Sequence, residues 1–333
     1  MGPYAVRRVL QFIPVLIGTL FLLHYLTVLS FQFNGNPVRA LFGDRQPPPE
    51  TIAALTRAFG LDDPCLEQTG NPCVGMFVDR IGGYFRGDFG VDFNQQPVID
   101  LIKRAAPITL RLTLLAIVFE SVVGILAGVL AGLRKDRFAD NFVRVATVLA
   151  ISVPIFVLGV LTQILFGLYI GNWVRDRGAP GWVEAIFSIS YQSDYPWASL
   201  VIPAMVLAST FLAIVARMTR TGLIESLRSD YVRTGKAKGL KPRRIVGIHA
   251  LRNCLIPVIT LIGIDIGGLM GGAIVTESIF NIPGIGGLVS RAAVTGETAI
   301  IMAVVPLLTL VYLVASLLVD LLYAVLDPRI RYG

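Results

Sequence analysis

Six near-continuous apolar runs, near residues 9–31, 107–133, 141–170, 199–222, 253–280 and 300–326, dominate the pattern along the chain. Each reaches the roughly 20 residues that an α-helix needs to cross the hydrocarbon core of a bilayer. Small residues recur inside the runs, as in "LTLLAIVFESVVGILAGVLAGL", and none has the polar–apolar alternation of a barrel strand. Only helices or closed barrels satisfy every backbone hydrogen bond in lipid, so the pattern predicts an all-α polytopic membrane protein with six transmembrane helices. The first run, preceded by Arg7 and Arg8, has the outline of a cleaved signal. At about 23 residues it is too long for an apolar signal core, and no clean small-residue cleavage site follows, so a retained anchor is expected.

Composition agrees: of 333 residues, 54% are hydrophobic and 15% charged, well below the charge of a soluble domain. Basic residues near span ends favour the cytoplasmic side. With the N-terminus inside, the inner set is Arg7, Arg8, Arg134, Lys135, Arg137, Arg144, ten residues from Arg217 through Arg252, Arg329 and Arg331, or 18 of 29. The long outer loops dilute theirs with Asp44, Glu50, Asp62, Asp63, Glu67, Asp79, Asp88, Asp92 and Asp100. Both termini are therefore expected in the cytoplasm. The net charge of +7 has this topological explanation, and with no soluble domain carrying stacking aromatics, no nucleic-acid partner is expected.

The stretch after the first helix, residues 32–106, is the longest non-spanning region and carries "GDRQPPPE", the amphipathic "ETIAALTRAFGLDD", "DPCLEQTGNPC" and "GYFRGDFGVDF". Its alternating aromatics and glycines predict an extracellular loop folded against the bundle. Cys65 and Cys73 enclose seven residues, with no His or further Cys beside them, so on an oxidising side a disulfide is expected. Cys254 is left over as a reduced packing residue.

Between the fourth and fifth runs stands "GKAKGLKPRRIVGIHALRN", residues 235–253, with six lysines and arginines. Ser229 and Asp230 offer caps for a short helix closing near Gly239, and Lys241 and Pro242 start a second that leads into the fifth span. Inner-leaflet anchoring would account for the charge, at about 1 kcal/mol per basic residue near anionic lipid. It does not account for a compact pair of helices jointed at glycine, which suits insertion into a groove on a partner. Gly235-Lys236 lacks the glycine spacing and following Ser or Thr of a phosphate-cradling loop, so the chain has no ATP site of its own.

The sequence "DYVRTGKAKGLKPRRIVGIHALRNCLIPVIT" resembles the cytoplasmic EAA loop of ABC importer permeases, in the form found in the oligopeptide/dipeptide permease branch. The N-terminal "RRVLQFIPVLIGTLFLL", "GDFGVDFNQQPVIDLI", "ITLRLTLLA" and "GGAIVTESIFNIPGIGGL" match that branch in order and spacing over nearly the whole chain. Where the general pattern begins Glu-Ala-Ala, this chain has Arg233, Thr234 and Gly235, and the usual Ile-x-Leu-Pro end appears as His249-Ala250-Leu251-Arg252, with a proline following only at Pro257. The resemblance implies a type I importer: two homologous permease subunits form the pathway, two cytoplasmic ABC ATPase subunits bind ATP and Mg and dock on the EAA loops, and an extracellular substrate-binding protein delivers the solute. Carried over, Gly239 is the loop glycine, and Arg233, Ala237, Lys238 and Leu240 accompany it in ATPase coupling. "FNIPGIGGLVSRA" falls at the outer mouth, which makes Glu277, Pro283 and Gly284 gate candidates beside their plain turn-making role.

Gly263, Gly267, Gly268, Gly271 and Gly272 line roughly one side of the fifth run, either for helix packing or to leave room in a pathway, with Asp265, Gly268 and Gly272 as pathway candidates. An ion-coupled transporter is the competing class, and Glu120, Asp265, Asp320 and His24 are the ionisable residues it would use. Nothing supports catalysis: the two histidines are far apart and no metal-ligand spacing occurs. The expected division is residues 1–31 as N-terminus and first helix, 32–106 as extracellular loop domain, 107–326 as the permease core with the coupling loop at about 223–252, and 327–333 as cytoplasmic tail. The expected function is a non-catalytic permease subunit of a peptide importer, without a cofactor of its own, in a bacterial plasma membrane. Nickel chelates, glutathione and oligosaccharides are the alternative solutes.

Overall fold

A computed structural model describes residues 2–35, 38, 42 and 47–326. The expected tail, 327–333, lies outside them. The helices in chain order are α1 (Gly2–Asn34), α2 (Pro49–Ala58), α3 (Val74–Phe85), α4 (Val98–Leu133), α5 (Phe138–Ser152), α6 (Ile155–Thr162), α7 (Gly171–Asp176) and α8 (Gly181–Ile186). They continue with α9 (Val201–Arg228), α10 (Asp230–Ala237), α11 (Pro242–Arg244), α12 (Leu251–Ile279), α13 (Ile285–Thr295) and α14 (Thr298–Leu326). Wider π turns join α6 to α7 over Gln163–Ile170 and α11 to α12 over Ile245–Ala250. Among the described residues six helical stretches are long and apolar enough to cross a membrane: Val6–Phe33, Val98–Leu133, Ile155–Asp176, Ala198–Arg228, Pro242–Gly271 and Thr298–Leu321.

The third of these corrects an expectation. The apolar run 141–170 is not one helix: α5 stops at Ser152, the backbone is extended at Val153 (φ −88°, ψ 123°), and a new helix starts after Pro154. Proline lacks an N–H and its ring crowds a helical conformation at the residue before it, so the run is cut and the spanning helix shifts to Ile155–Asp176.

The described residues divide into two compact units, one built from those within 107–287 and 311–326, the other from those within 2–106 and 288–310. In the first unit α9 is the central helix, since 56% of its apolar window is buried against 33% or less for the other spans. Leu200, Ala204, Val206, Leu207 and Ala208 form the core there with Leu112 and Ala116 of α4 and Leu269 and Ala273 of α12. Gly124, Gly128 and Gly132, spaced four apart on one face of α4, let its backbone lie against α9; a Cβ at Gly128 would stand 2.5 Å from the Ala216 carbonyl oxygen. α5 packs on α9 as well, burying Asp140, Val143 and Thr147.

In the second unit the Cys65–Cys73 disulfide, with Cα atoms 5.6 Å apart, closes a loop that sits on α1. Gln32 of α1 donates to the Gln68 and Asn71 carbonyls at 2.8 and 3.0 Å and accepts from the Gly70 N–H at 2.9 Å. His24 Nε2 lies 3.1 Å from the carbonyl oxygens of both Pro72 and Cys73, so this nitrogen carries the proton and donates. Its Nδ1 faces Arg80 at 3.4 Å. The buried His24 is thereby a structural tie between the first helix and the loop.

Candidate functional site

The basic stretch is an exposed surface on a small apolar base. α10 begins at Ser229, whose backbone is extended (φ −70°, ψ 156°) and whose hydroxyl donates to the Ser226 carbonyl at 2.5 Å. It ends as expected: Gly239 takes φ +73°, the left-handed conformation that glycine adopts without steric cost, and Leu240 N–H returns to the Gly235 carbonyl at 3.1 Å. Lys241 and Pro242 then start α11, which runs through the π turn without a break into α12. The second surface helix is thus the extension of a spanning helix.

Val232, Ile245, Ala250, Leu223 and Cys254 are buried together beneath this surface, with Leu227, Leu240, Leu251 and Leu255 packed around them. The cluster locks α10 to both α9 and α12. Gly235 is buried within it, and a Cβ there would meet Leu240 at an ordinary 3.5 Å, so its role is packing. Arg233, Lys236, Ala237, Lys238, Gly239, Lys241, Arg243 and Arg244 all point away from it and are exposed. Arg233 reaches Asp230 at 3.3 Å, but both side chains are solvated and the pair adds little. Around Gly239 nothing of this chain comes within 4 Å of a built Cβ. Of the five residues singled out for ATPase coupling, four are exposed side by side, and Leu240 anchors the turn from below.

An ion pair braces the same end of α9. Arg220 donates to Asp140 of α5 through Nε at 2.5 Å and Nη2 at 2.7 Å, and the Asp136 N–H donates to the same carboxylate at 2.9 Å. The Arg220 hydrogen bonds, foremost, pull the Asp140 carboxyl down to about 2. No sequence motif announced this pair.

At the other end of α12, Glu277 is fully buried. Its carboxylate accepts from the Thr109 hydroxyl at 2.6 Å and from the Gly287 N–H, at the start of α13, at 2.9 Å. A helix N-terminus is a favourable place for a negative charge. Gly284 lies directly against the Glu277 carboxylate oxygens, leaving no room for a Cβ, while Pro283 is exposed. Three of the gate candidates therefore form one turn, and Thr109, which the sequence did not single out, completes it.

Asp265 is 5% exposed inside the first unit. On α12 a Cβ at Gly263 would meet Val319 of α14, at Gly267 the Tyr312 ring, and at Gly268 the Phe211 ring of α9, whereas Gly271 faces open space. Packing thus uses three of the glycines. The surroundings of Gly272 lie outside the described residues. Among the described residues no group of three or more His, Cys, Asp or Glu could hold a metal ion.

Residues 124–332 match the family described as binding-protein-dependent transport system inner membrane component. The chain belongs to this family. It is 34% identical to a dipeptide transport system permease protein of Alkalihalophilus pseudofirmus, over 100% of both chains. It is 32% identical to a di/tripeptide transport system permease protein of Pseudomonas aeruginosa, over 100% of this chain and 99% of the relative. It is 33% identical to a glutathione transport system permease protein of Escherichia coli K12, over 99% of each. The chain is a membrane-spanning transport permease subunit of the ABC type, with the all-α, six-span fold of that family.

Proposed function

We propose that this permease imports peptides, pairing with a second, homologous permease subunit to enclose the pathway while two cytoplasmic ABC ATPase subunits, which bind the ATP and Mg, dock on the surface formed by α10 and α11. One observation carries the coupling: the exposed row Arg233, Ala237, Lys238 and Gly239 is seated on an apolar cluster shared by α9 and α12. A push on α10 is therefore a push on two spanning helices, which is what a motor subunit needs. The substrate reading leans on the relatives, two of which are named for di- or tripeptides and one for glutathione, itself a tripeptide.

In this reading both termini and the coupling loop at about 223–252 are cytoplasmic, residues 32–106 form the outer domain, 107–326 the permease core, and the membrane is the bacterial plasma membrane. An oxidised Cys65–Cys73 pair suits the outer side. A substrate-binding protein delivers the peptide there. Glu277, Pro283 and Gly284 form the turn at the outer mouth, and Asp265, Gly268 and Gly272 belong to the helix beside the pathway.

The test is reconstitution in liposomes of this chain with its companion permease, ATPases and peptide-loaded binding protein. ATP-dependent accumulation of labelled dipeptides or tripeptides supports the reading. Uptake of only an oligosaccharide or a nickel chelate would overturn the substrate, and uptake without ATP, driven by an ion gradient, would overturn the coupling.

A further inference from the structure

Two carboxyl groups of the first unit, Glu120 and Asp265, are buried with unpartnered oxygens. Glu120 of α4 is 0% exposed, and neither of its carboxylate oxygens has a hydrogen-bond partner. Asp265 of α12 is 5% exposed, and its Oδ2 is likewise buried without a partner. Both residues stand on helices that pack against the same stretch of α9: Gly124, one turn after Glu120, meets Leu212 and Val215, and Gly268, one turn after Asp265, meets Phe211. Leu112 and Ala116 of α4 belong to the same buried core as Leu269 and Ala273 of α12, so the two carboxyls stand on helices that share one packed interior.

Among the described residues no cation of the surrounding helices is placed to balance them. On α4 the nearest basic residue is Arg111, with Arg134 just past the end of the helix, and on α12 it is Arg252. On α9 none occurs before Arg217, which is exposed, and Arg220 is engaged by Asp140 of α5. The α6 segment has no titratable group, and α14 offers only Tyr312, Asp320 and Tyr323. Two ionised carboxylates buried together without donors would each cost several kcal/mol, and their repulsion adds to that. A metal ion in their place would want more oxygen ligands than two carboxyls supply.

We propose that Glu120 and Asp265 form a proton-binding site inside the helix bundle, which holds at least one proton while α4, α9 and α12 are packed together. The proton comes from a solvent hydronium ion, whose O–H bond breaks as an O–H bond forms on a carboxylate oxygen, leaving a water molecule. A proton bound to the packed arrangement and released when water reaches the pair favours the packed arrangement by mass action. The sign follows: this stabilisation is complete below the ordinary carboxylate range, about 4, and is lost as the pH rises above it. The site is independent of which solute the transporter carries.

The test uses the assembled transporter in lipid nanodiscs, wild type and Glu120→Gln, the glutamine having the shape of the protonated acid. Infrared spectra should show, at neutral pH, the carbonyl band of a buried protonated carboxyl that shifts in heavy water and is absent from the variant. The wild-type melting temperature should fall from mildly acidic to alkaline pH, with a flatter profile in Glu120→Gln and in Asp265→Asn. Identical profiles in wild type and variants, or a melting temperature set by sodium concentration rather than pH, would overturn the proposal. Should the variants fail to assemble, the wild-type spectrum decides, because the lack of a protonated-carboxyl band at neutral pH overturns it too.

Discussion

The Thr109 hydroxyl donates to the Glu277 carboxylate at 2.6 Å while accepting from the Ile285 N–H at 2.8 Å. One side chain of α4 thus joins the end of α12 to the first turn of α13. The Gly287 N–H on the same carboxylate and the Gly284 backbone pressed against it make the turn a closed polar unit in an apolar setting.

Removing a single partner from that unit leaves buried donors or acceptors unsatisfied. Thr109→Val should cost about 1–3 kcal/mol. Gly284→Ala should cost more, because its methyl meets the Glu277 carboxylate instead of space. Thermal melts of the purified complex check both, and a silent Gly284→Ala would show that the turn is looser than described.

Asp140 and Arg220 allow a pH-resolved prediction. The Asp140 carboxyl is held at about 2, below its usual range, so the pair stabilises the fold above about pH 4 and the contribution is lost as the pH falls toward 2. Asp140→Asn should lower the melting temperature at neutral pH, and the gap to wild type should close in acid. A gap independent of pH would contradict this.

The disulfide closes a loop whose backbone carbonyls at Pro72 and Cys73 receive the His24 hydrogen bond. Cys65→Ser or a reductant should therefore loosen the loop from α1, with a loss of about 2 kcal/mol or more. Protease accessibility of the 60–73 stretch, with and without reductant, reads this directly.

Gly239→Glu places a side chain at φ +73°, at a local cost of about 1–2 kcal/mol, but into space free of this chain. Membrane insertion should survive and substrate-stimulated ATP hydrolysis should be lost, because the carboxylate stands where the ATPase would dock. Normal stimulated hydrolysis by the variant would move the docking surface elsewhere.

The spans were legible because apolar length is a local property, and α10 with its Gly239 stop because capping and glycine conformation are local too. The third span departs from its hydropathy because the apolar run continues through Val153–Pro154 and backbone sterics end the helix there. Thr109 with Glu277, 168 residues apart, and Asp140 with Arg220, 80 apart, could not be read from the chain, because pairing across helices depends on which faces meet. The four-residue spacing of Gly124, Gly128 and Gly132 was on view in the sequence and marks the α4–α9 contact.

The most direct measurement is site-directed crosslinking from Lys238→Cys in membranes that contain the whole transporter. The docking surface predicts a specific product between that cysteine and an ATPase subunit, with a yield that changes when ATP is added. A cysteine that reacts only with lipid-borne or aqueous probes, and never with a nucleotide-hydrolysing subunit, would contradict it.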